Sequence, residues 1–247
     1  MIVKEVYVKT ILSKSKVYEY TINPYIGCEH NCTYCYARFM KRFTGHKERW
    51  GEFVDVKINT SLLLSREIKK KQPSRIWMSG VCDSYQPLEK RYRLTRHCLE
   101  ILLEHGWAVT VQTKSHLVLR DKDLLRRFNQ CEVGLTITTA DEDVRKIFEP
   151  NTSSIQQRIK TLEKLHMAGI QTFAMIAPLL PHAENLVSQL KGKVDYVLID
   201  RMNYHHANWV YKKNGLAYEM TDHFFTQKKI ELATAFENED VPYRFLF

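Results

Sequence analysis

Along the first 22 residues apolar and polar positions alternate in two short runs, Ile2 to Val8 and Val17 to Ile22, parted by Ser13-Lys-Ser-Lys16. That period of two predicts strands joined by a turn. Asn23-Pro24 and Gly27 then break regular structure, and Tyr34 to Phe43 reads as a short helix. Asn59-Thr60-Ser61 caps a helix running to Lys71 and ended by Pro73. From Arg75 onward strand and helix alternate. The strands are Arg75 to Cys82, Trp107 to Lys114, Cys131 to Thr139, Ile170 to Ala177 and Val194 to Asn203. Between them fall helices Leu94 to His105, Asp121 to Asn129, Ser153 to Ala168 and Ala183 to Leu190, with Gly106 and Gly169 as stops. Repeated units of this kind predict parallel strands, right-handed crossovers and one contiguous core.

In Ala108-Val-Thr-Val-Gln-Thr-Lys114 the apolar Val109 and Val111 alternate with polar Thr110, Gln112 and Lys114. A parallel sheet covered on both faces should be apolar throughout, so the polar side is expected to line a cavity. Thr136 and Thr138 repeat the pattern in the following strand. A partial (β/α)6 TIM-type barrel, open on one side with its site at the C-terminal strand ends, satisfies both the alternation and the number of units. The expected organisation is a single α/β domain, with N-terminal strands over 1–22 and a core over 23–203. Residues 204–247 are expected to cover the barrel opening with a hairpin, a helix and a final strand. The hairpin spans Trp209 to Tyr218 around Asn214-Gly215, a dipeptide suited to a type I′ turn. Helix Thr221 to Glu237 and strand Pro242 to Phe247 follow.

A hydrophobic content of 44% with mixed charge argues against disorder. No apolar run approaches the ~18 residues a membrane span needs, so no membrane partner is expected. The N-terminus lacks the apolar core and cleavage site of a secretory signal, which implies a cytoplasmic protein. Six cysteines fit a reducing compartment, because three share one loop and Cys82, Cys98 and Cys131 stand isolated in otherwise regular segments. The net charge of +9 favours polyanions, nucleic acid first among them, although the basic residues are spread along the chain.

The densest chemistry lies in Asn23-Pro-Tyr-Ile-Gly-Cys-Glu-His-Asn-Cys-Thr-Tyr-Cys-Tyr-Ala-Arg38, where Cys28, Cys32 and Cys35 form a CxxxCxxC array. A structural zinc site would want a fourth N or S ligand nearby, and the chain offers no second Cys pair. A [4Fe–4S] cluster held by three cysteines leaves its fourth iron open to an exogenous ligand. With Tyr34 before the third cysteine, this spacing resembles the signature of the radical S-adenosylmethionine (SAM) superfamily. The flanks resemble its spore photoproduct lyase and DNA repair photolyase-like branch. That likeness continues through Asp83-Ser-Tyr-Gln-Pro-Leu-Glu-Lys-Arg-Tyr-Arg-Leu-Thr95, Thr113-Lys-Ser115, Leu119-Arg-Asp121, Thr136-Ile-Thr-Thr139 and Glu149-Pro150.

The resemblance implies that Cys28, Cys32 and Cys35 hold the cluster and that SAM chelates its open iron. An electron from a flavodoxin or ferredoxin would then cleave SAM, and the radical formed would take a hydrogen atom from substrate. Ser79-Gly80 would let backbone approach SAM closely, and Asp83 would accept from its ammonium or a ribose hydroxyl. Lys114 would pair with its carboxylate, and Thr136 and Thr138 would hydrogen-bond carboxylate or ribose. The bland reading of these groups is a turn residue and ordinary strand formers. Tyr34 would pack beside the cluster or adenine. Glu149-Pro150 reads as a structural turn. Cys82, where the branch usually shows Thr, is a candidate hydrogen-atom donor or an inert core thiol. Tyr204 and His205, on the loop leaving the last strand, are candidates for proton transfer or substrate contact. Three functions stay open: a radical SAM enzyme acting on nucleic acid or a nucleotide, one acting on a peptide or small metabolite, and a non-catalytic Fe–S or zinc-binding protein.

Overall fold

The computed structural model describes all 247 residues, Met1–Phe247. They form two compact units, Met1–Asn31 with Ala37–Val133, and Cys32–Tyr36 with Gly134–Phe247. The first unit contains β1 (Ile2–Val6), β2 (Leu12–Lys14), β3 (Tyr20–Ile22), β4 (Tyr25–Ile26), β5 (Phe53–Lys57) and α1 (Thr60–Glu67). β6 (Arg75–Met78), α2 (Glu89–Tyr92), α3 (Leu94–Glu104), β7 (Ala108–Thr113) and α4 (Lys122–Leu125) complete it. Strand β8 (Cys131–Thr136) carries the boundary in its middle. The second unit continues with α5 (Glu142–Phe148), α6 (Ile155–His166), β9 (Gln171–Ile176), α7 (Val187–Leu190), β10 (Tyr196–Ile199), α8 (Asn208–Lys213), α9 (Asp222–Asn238) and β11 (Tyr243–Phe245).

In the first unit the main sheet runs β2-β3-β6-β7-β8, and in the second β8-β9-β10-β11. β3–β6, β6–β7, β9–β10 and β10–β11 pair in parallel, and β2–β3 pair antiparallel. The fold is therefore mixed α/β with mostly parallel pairing. The longer helices bury an apolar stripe. In α6 these are Ile155, Ile159, Leu162 and Leu165, spaced at three and four residues, and the Ser154–Gln157 capping box starts the helix. Each such side chain contributes about 1.5–3 kcal/mol on leaving water.

Several elements differ from the sequence expectation. The first run of alternation does not pair with the second: β1 pairs in parallel with β5, Ile2 against Phe53, and β2 makes the hairpin with β3. β5 was not anticipated, because Phe-Val-Asp-Val shows little alternation, and all four residues are buried. Helix α5 was also missed, although Asp141 is a ready N-cap and accepts from the Asp143 and Val144 amides.

The expected hairpin at Trp209 to Tyr218 is a helix. Ala207, Val210 and Tyr211, three and four residues apart, are buried together, which only a helical repeat allows. Asn214 has φ −103°, so Asn214-Gly215 is no type I′ turn. Gly215, at φ +73°, instead stops α8. Its N–H donates to Lys212 O, and Leu216 N–H donates to Tyr211 O over 2.9 Å, the Schellman pattern of a helix end. A Cβ at Gly215 would meet no atom within 4 Å, so only backbone strain opposes one. Gly215→Ala should therefore cost about 1–2 kcal/mol, with Gly215→Asn recovering part of it, read from the urea midpoint at constant slope.

Candidate site at the cysteine loop

The unit boundary divides the cysteine loop: Cys28 and His30 belong to the first unit, Cys32, Tyr34 and Cys35 to the second. In the first unit the loop is held by the segment after β6. Asn23 Oδ1 accepts from the Val81 amide at 2.9 Å. Gly27, at φ +93°, passes so close to β5 that a Cβ would stand 2.2 Å from Phe53 O. The Gln86 amide, fully buried, donates to Gly27 O and accepts from Glu29 N–H at 2.9 Å. Glu29 in turn accepts from the Leu88 amide. Tyr25 OH donates to the buried Glu89, which also pairs with Arg120 at 2.7 Å.

Asp83 is the hub of this half. Its Oδ1 accepts from Tyr85 N–H at 2.8 Å and Thr113 OH at 2.6 Å. Its Oδ2 accepts from Lys114 N–H at 2.8 Å and lies 3.1 Å from His30 Nε2. Burial raises the Asp83 carboxyl, but His30 and these hydrogen bonds outweigh it and hold the group below the ordinary carboxylate range. A carboxylate has about four acceptor positions. At Asp83 the protein itself engages both oxygens, with three hydrogen-bond donors and the His30 ring beside them.

In the second unit a buried ion pair does the same work. Tyr34 OH donates to Glu149 Oε1, and Arg158 Nη1 sits 2.6 Å from Glu149 Oε2, both charged side chains being fully buried. Arg158 also donates to Thr136 O at 2.8 Å, and Arg145 donates to Glu149 O at 2.8 Å. Burial first, then the Glu149 charge, pushes the Tyr34 phenol well up, so it remains a donor. Thr33 N–H donates to Phe148 O at 2.9 Å. Cys32 and Tyr34 join Val144, Phe148, Leu180, Ala207, Val210 and Tyr211 in one apolar cluster, with Cys35 packed at its edge. Glu149, expected to be a turn residue, is thus the charged anchor of the loop.

The other expected site residues fall as follows. Ser79 is buried and takes the positive φ, +70°, rather than Gly80. A Cβ at Gly80 would lie 3.2 Å from the Trp77 ring, so this glycine makes room for that indole. Cys82 donates to Ser79 Oγ at 3.4 Å, and burial pushes its thiol up to about 11. Thr110, expected to face a cavity, accepts from Arg75 and donates to Glu132, so that end of the polar stripe is an internal network. Thr138 is 1% exposed, and its hydroxyl has no hydrogen-bond partner. His205 lies in a 3-10 turn, and Tyr204 is exposed. His30, Gln86, Glu149 and Arg158 were missed. The only signal for them was their place inside or beside the matched motifs.

A family model of the radical SAM superfamily matches residues 22–185. The chain belongs to the radical SAM superfamily. It is accordingly an enzyme. It is 38% identical over 189 residues to an uncharacterized protein of Methanocaldococcus jannaschii, covering 75% of this chain and 71% of that one. It is 32% identical over 173 residues to ORF301 of Acidianus two-tailed virus, covering 66% of this chain and 56% of the relative. Among solved structures, spore photoproduct lyase complexed with dinucleoside spore photoproduct superposes with a TM-score of 0.71 at 17% identity. That match covers 99% of this chain and 82% of the other. SuiB of Streptococcus suis bound to S-adenosylmethionine gives 0.55 at 13% identity, covering 92% and 50%. Both likenesses concern fold.

The family implies a [4Fe–4S] cluster and SAM. The structure places no group of three or more His, Cys, Asp or Glu side chains as a ready metal site, so the fit is judged from donor chemistry. Three sulfurs on one loop, with Cys28 and Cys32 buried and side-chain braces on either side, suit a cluster with one open iron. The buried Thr138 hydroxyl suits a ligand that completes its hydrogen bonding.

Two outcomes follow from this radical SAM site. Glu149→Gln should destabilise the protein by about 3–5 kcal/mol, because Arg158 is left buried without its counter-charge, and Tyr34→Phe by ~1.5–3 kcal/mol. Denaturant titration of both variants checks the order. Native-state alkylation of Cys82, followed peptide by peptide, should show a midpoint near pH 11 rather than 9, since the thiol stays protonated until that pH.

Proposed function

We propose that this enzyme holds a [4Fe–4S] cluster through Cys28, Cys32 and Cys35, binds SAM beside it, and acts on nucleic acid or a nucleotide. The observation that carries this reading is the cysteine loop itself, fastened by buried side chains in each unit. When bound, the cluster and SAM supply one-electron cleavage of SAM and hydrogen-atom abstraction from substrate. The chain's own residues position that chemistry. Asp83, with its oxygens already engaged, acts through His30 and the Lys114 amide as a brace. Thr138, with its unpartnered hydroxyl, and the Lys114 ammonium hold SAM's polar groups, with Ser79, Gly80 and Thr136 contributing at the strand ends. Cys82 stays a neutral thiol near pH 7, the form able to return a hydrogen atom. Tyr204 and His205 contact substrate. The parallel pairing supports the partial (β/α)6 barrel for residues 23–203, flanked by 1–22 and 204–247, and a flavodoxin or ferredoxin fits as electron donor.

The charge of +9 supports a nucleic-acid substrate. So does the fold of spore photoproduct lyase, solved with dinucleoside spore photoproduct. A peptide substrate is the second reading, favoured by the likeness to SuiB, which is also solved with its precursor peptide.

Anaerobic reconstitution should load about four irons per chain, and a strong reductant should then yield 5′-deoxyadenosine. Cys28→Ala, Cys32→Ala or Cys35→Ala should lose both. Stoichiometric zinc without iron uptake would refute the assignment. Thr138→Val and Lys114→Ala should keep the cluster but weaken SAM binding by ~1–3 kcal/mol each, measured by equilibrium dialysis.

A further inference from the structure

Tyr36, the residue after Cys35, stacks on Tyr204 with ring centroids 5.9 Å apart and planes 19° from parallel. Tyr204 in turn stacks on His206 at 5.9 Å and 3°. These three near-parallel rings are not a core feature: Tyr36 is 39% and Tyr204 50% exposed. Trp209, 60% exposed, follows at the start of α8. Lys212 and Lys213, three and four residues on, share its face of the helix and are exposed. The opposite face fixes the row in place. Ala207, Val210 and Tyr211 are buried in the cluster that contains Cys32 and Tyr34, and Tyr211 packs on Phe148 at 4.7 Å. Tyr36 and Tyr204 reach solvent while His206 is half-buried, and flat rings at such a surface offer stacking area at little entropic cost.

Resting on the nucleic-acid reading above, we propose that Tyr36, Tyr204 and His206 form a platform on which an unpaired base stacks, with Lys212 and Lys213 contacting its phosphates. Stacking needs an open base face, which a paired duplex does not present and a single strand or an extruded nucleotide does. Charge complementarity favours this partner over an ordinary peptide. The segment His205–Lys213 contains two lysines and two histidines and no Asp or Glu. Because Tyr36 follows Cys35 directly, a base on the row is held beside the loop assigned to the cluster.

The experiment is a titration of the full chain with a single-stranded oligonucleotide carrying 2-aminopurine, read by fluorescence and repeated over a range of salt. The wild type should bind and quench the probe. Tyr204→Ala should weaken binding about 5- to 150-fold, the equivalent of the ~1–3 kcal/mol of one stacked base, and lose the quench, whereas Tyr204→Phe keeps both. Tyr204 is half exposed, so an unchanged thermal midpoint in each variant confirms that folding is not the cause. The Lys212→Ala, Lys213→Ala pair should reduce the salt slope by about 1.4, two phosphates on a single strand, and leave the quench at saturation. Wild-type binding matched by Tyr204→Ala in affinity and quench overturns the platform while the nucleic-acid reading stands. No binding of any single strand or duplex at low salt overturns that reading and the platform with it. Binding of an aromatic peptide alone, lost in Tyr204→Ala, overturns the nucleic-acid assignment and gives the row to a peptide.

Discussion

The Asp83 carboxylate, buried, met by three hydrogen-bond donors and paired with His30, is the point from which the first half of the site is built. A loop broken by proline and glycine cannot satisfy its own backbone, and a buried carboxylate is tolerated only when its desolvation is offset by hydrogen bonds. Each need answers the other here. Asp83 follows the end of β6, Thr113 ends β7, and His30 lies in the middle of the cysteine loop. One carboxylate therefore sets the loop against two strand ends. Gln86 and Asn23 repeat the device with neutral amides, which cost less to bury. The stretch from Asp83 to Glu89 thus frames the loop.

Glu149 and Arg158 hold the other half at a higher electrostatic cost. A fully buried ion pair is weak evidence of added stability, because a well-packed apolar pair can do as well. Its contribution is directional. Glu149 accepts from the Tyr34 hydroxyl and pairs with the Arg158 charge, and Arg158 donates to the carbonyl at the end of β8. The Tyr34 ring is held between Cys32 and Cys35 in sequence, and the apolar cluster around it excludes water. Helix α8 completes that cluster on its buried face and shows aromatic and basic residues on the other. Rigidity at the loop and a stacking surface outside it thus come from the same packing.

Local rules made much of this protein readable from its sequence. The cysteine spacing needs nothing beyond one loop. The Ser154 capping box and the apolar stripe of α6 act within a few residues, and the alternation of strand and helix from Arg75 onward predicted the parallel pairing. What local rules left open went to tertiary structure. Asn214-Gly215 serves equally as a hairpin turn or a helix stop, since both need Gly at positive φ, and only the apolar cluster waiting for Val210 and Tyr211 decided for the helix. β1 found β5 rather than its neighbour, because Phe53, Val54 and Val56 offered a buried strand where β2 offered exposed residues. The braces lay beyond local reading for the same reason. Tyr34 and Glu149 are 115 residues apart. Neither carries a mark of the other, because a buried charge takes its meaning from the partner that folding brings to it.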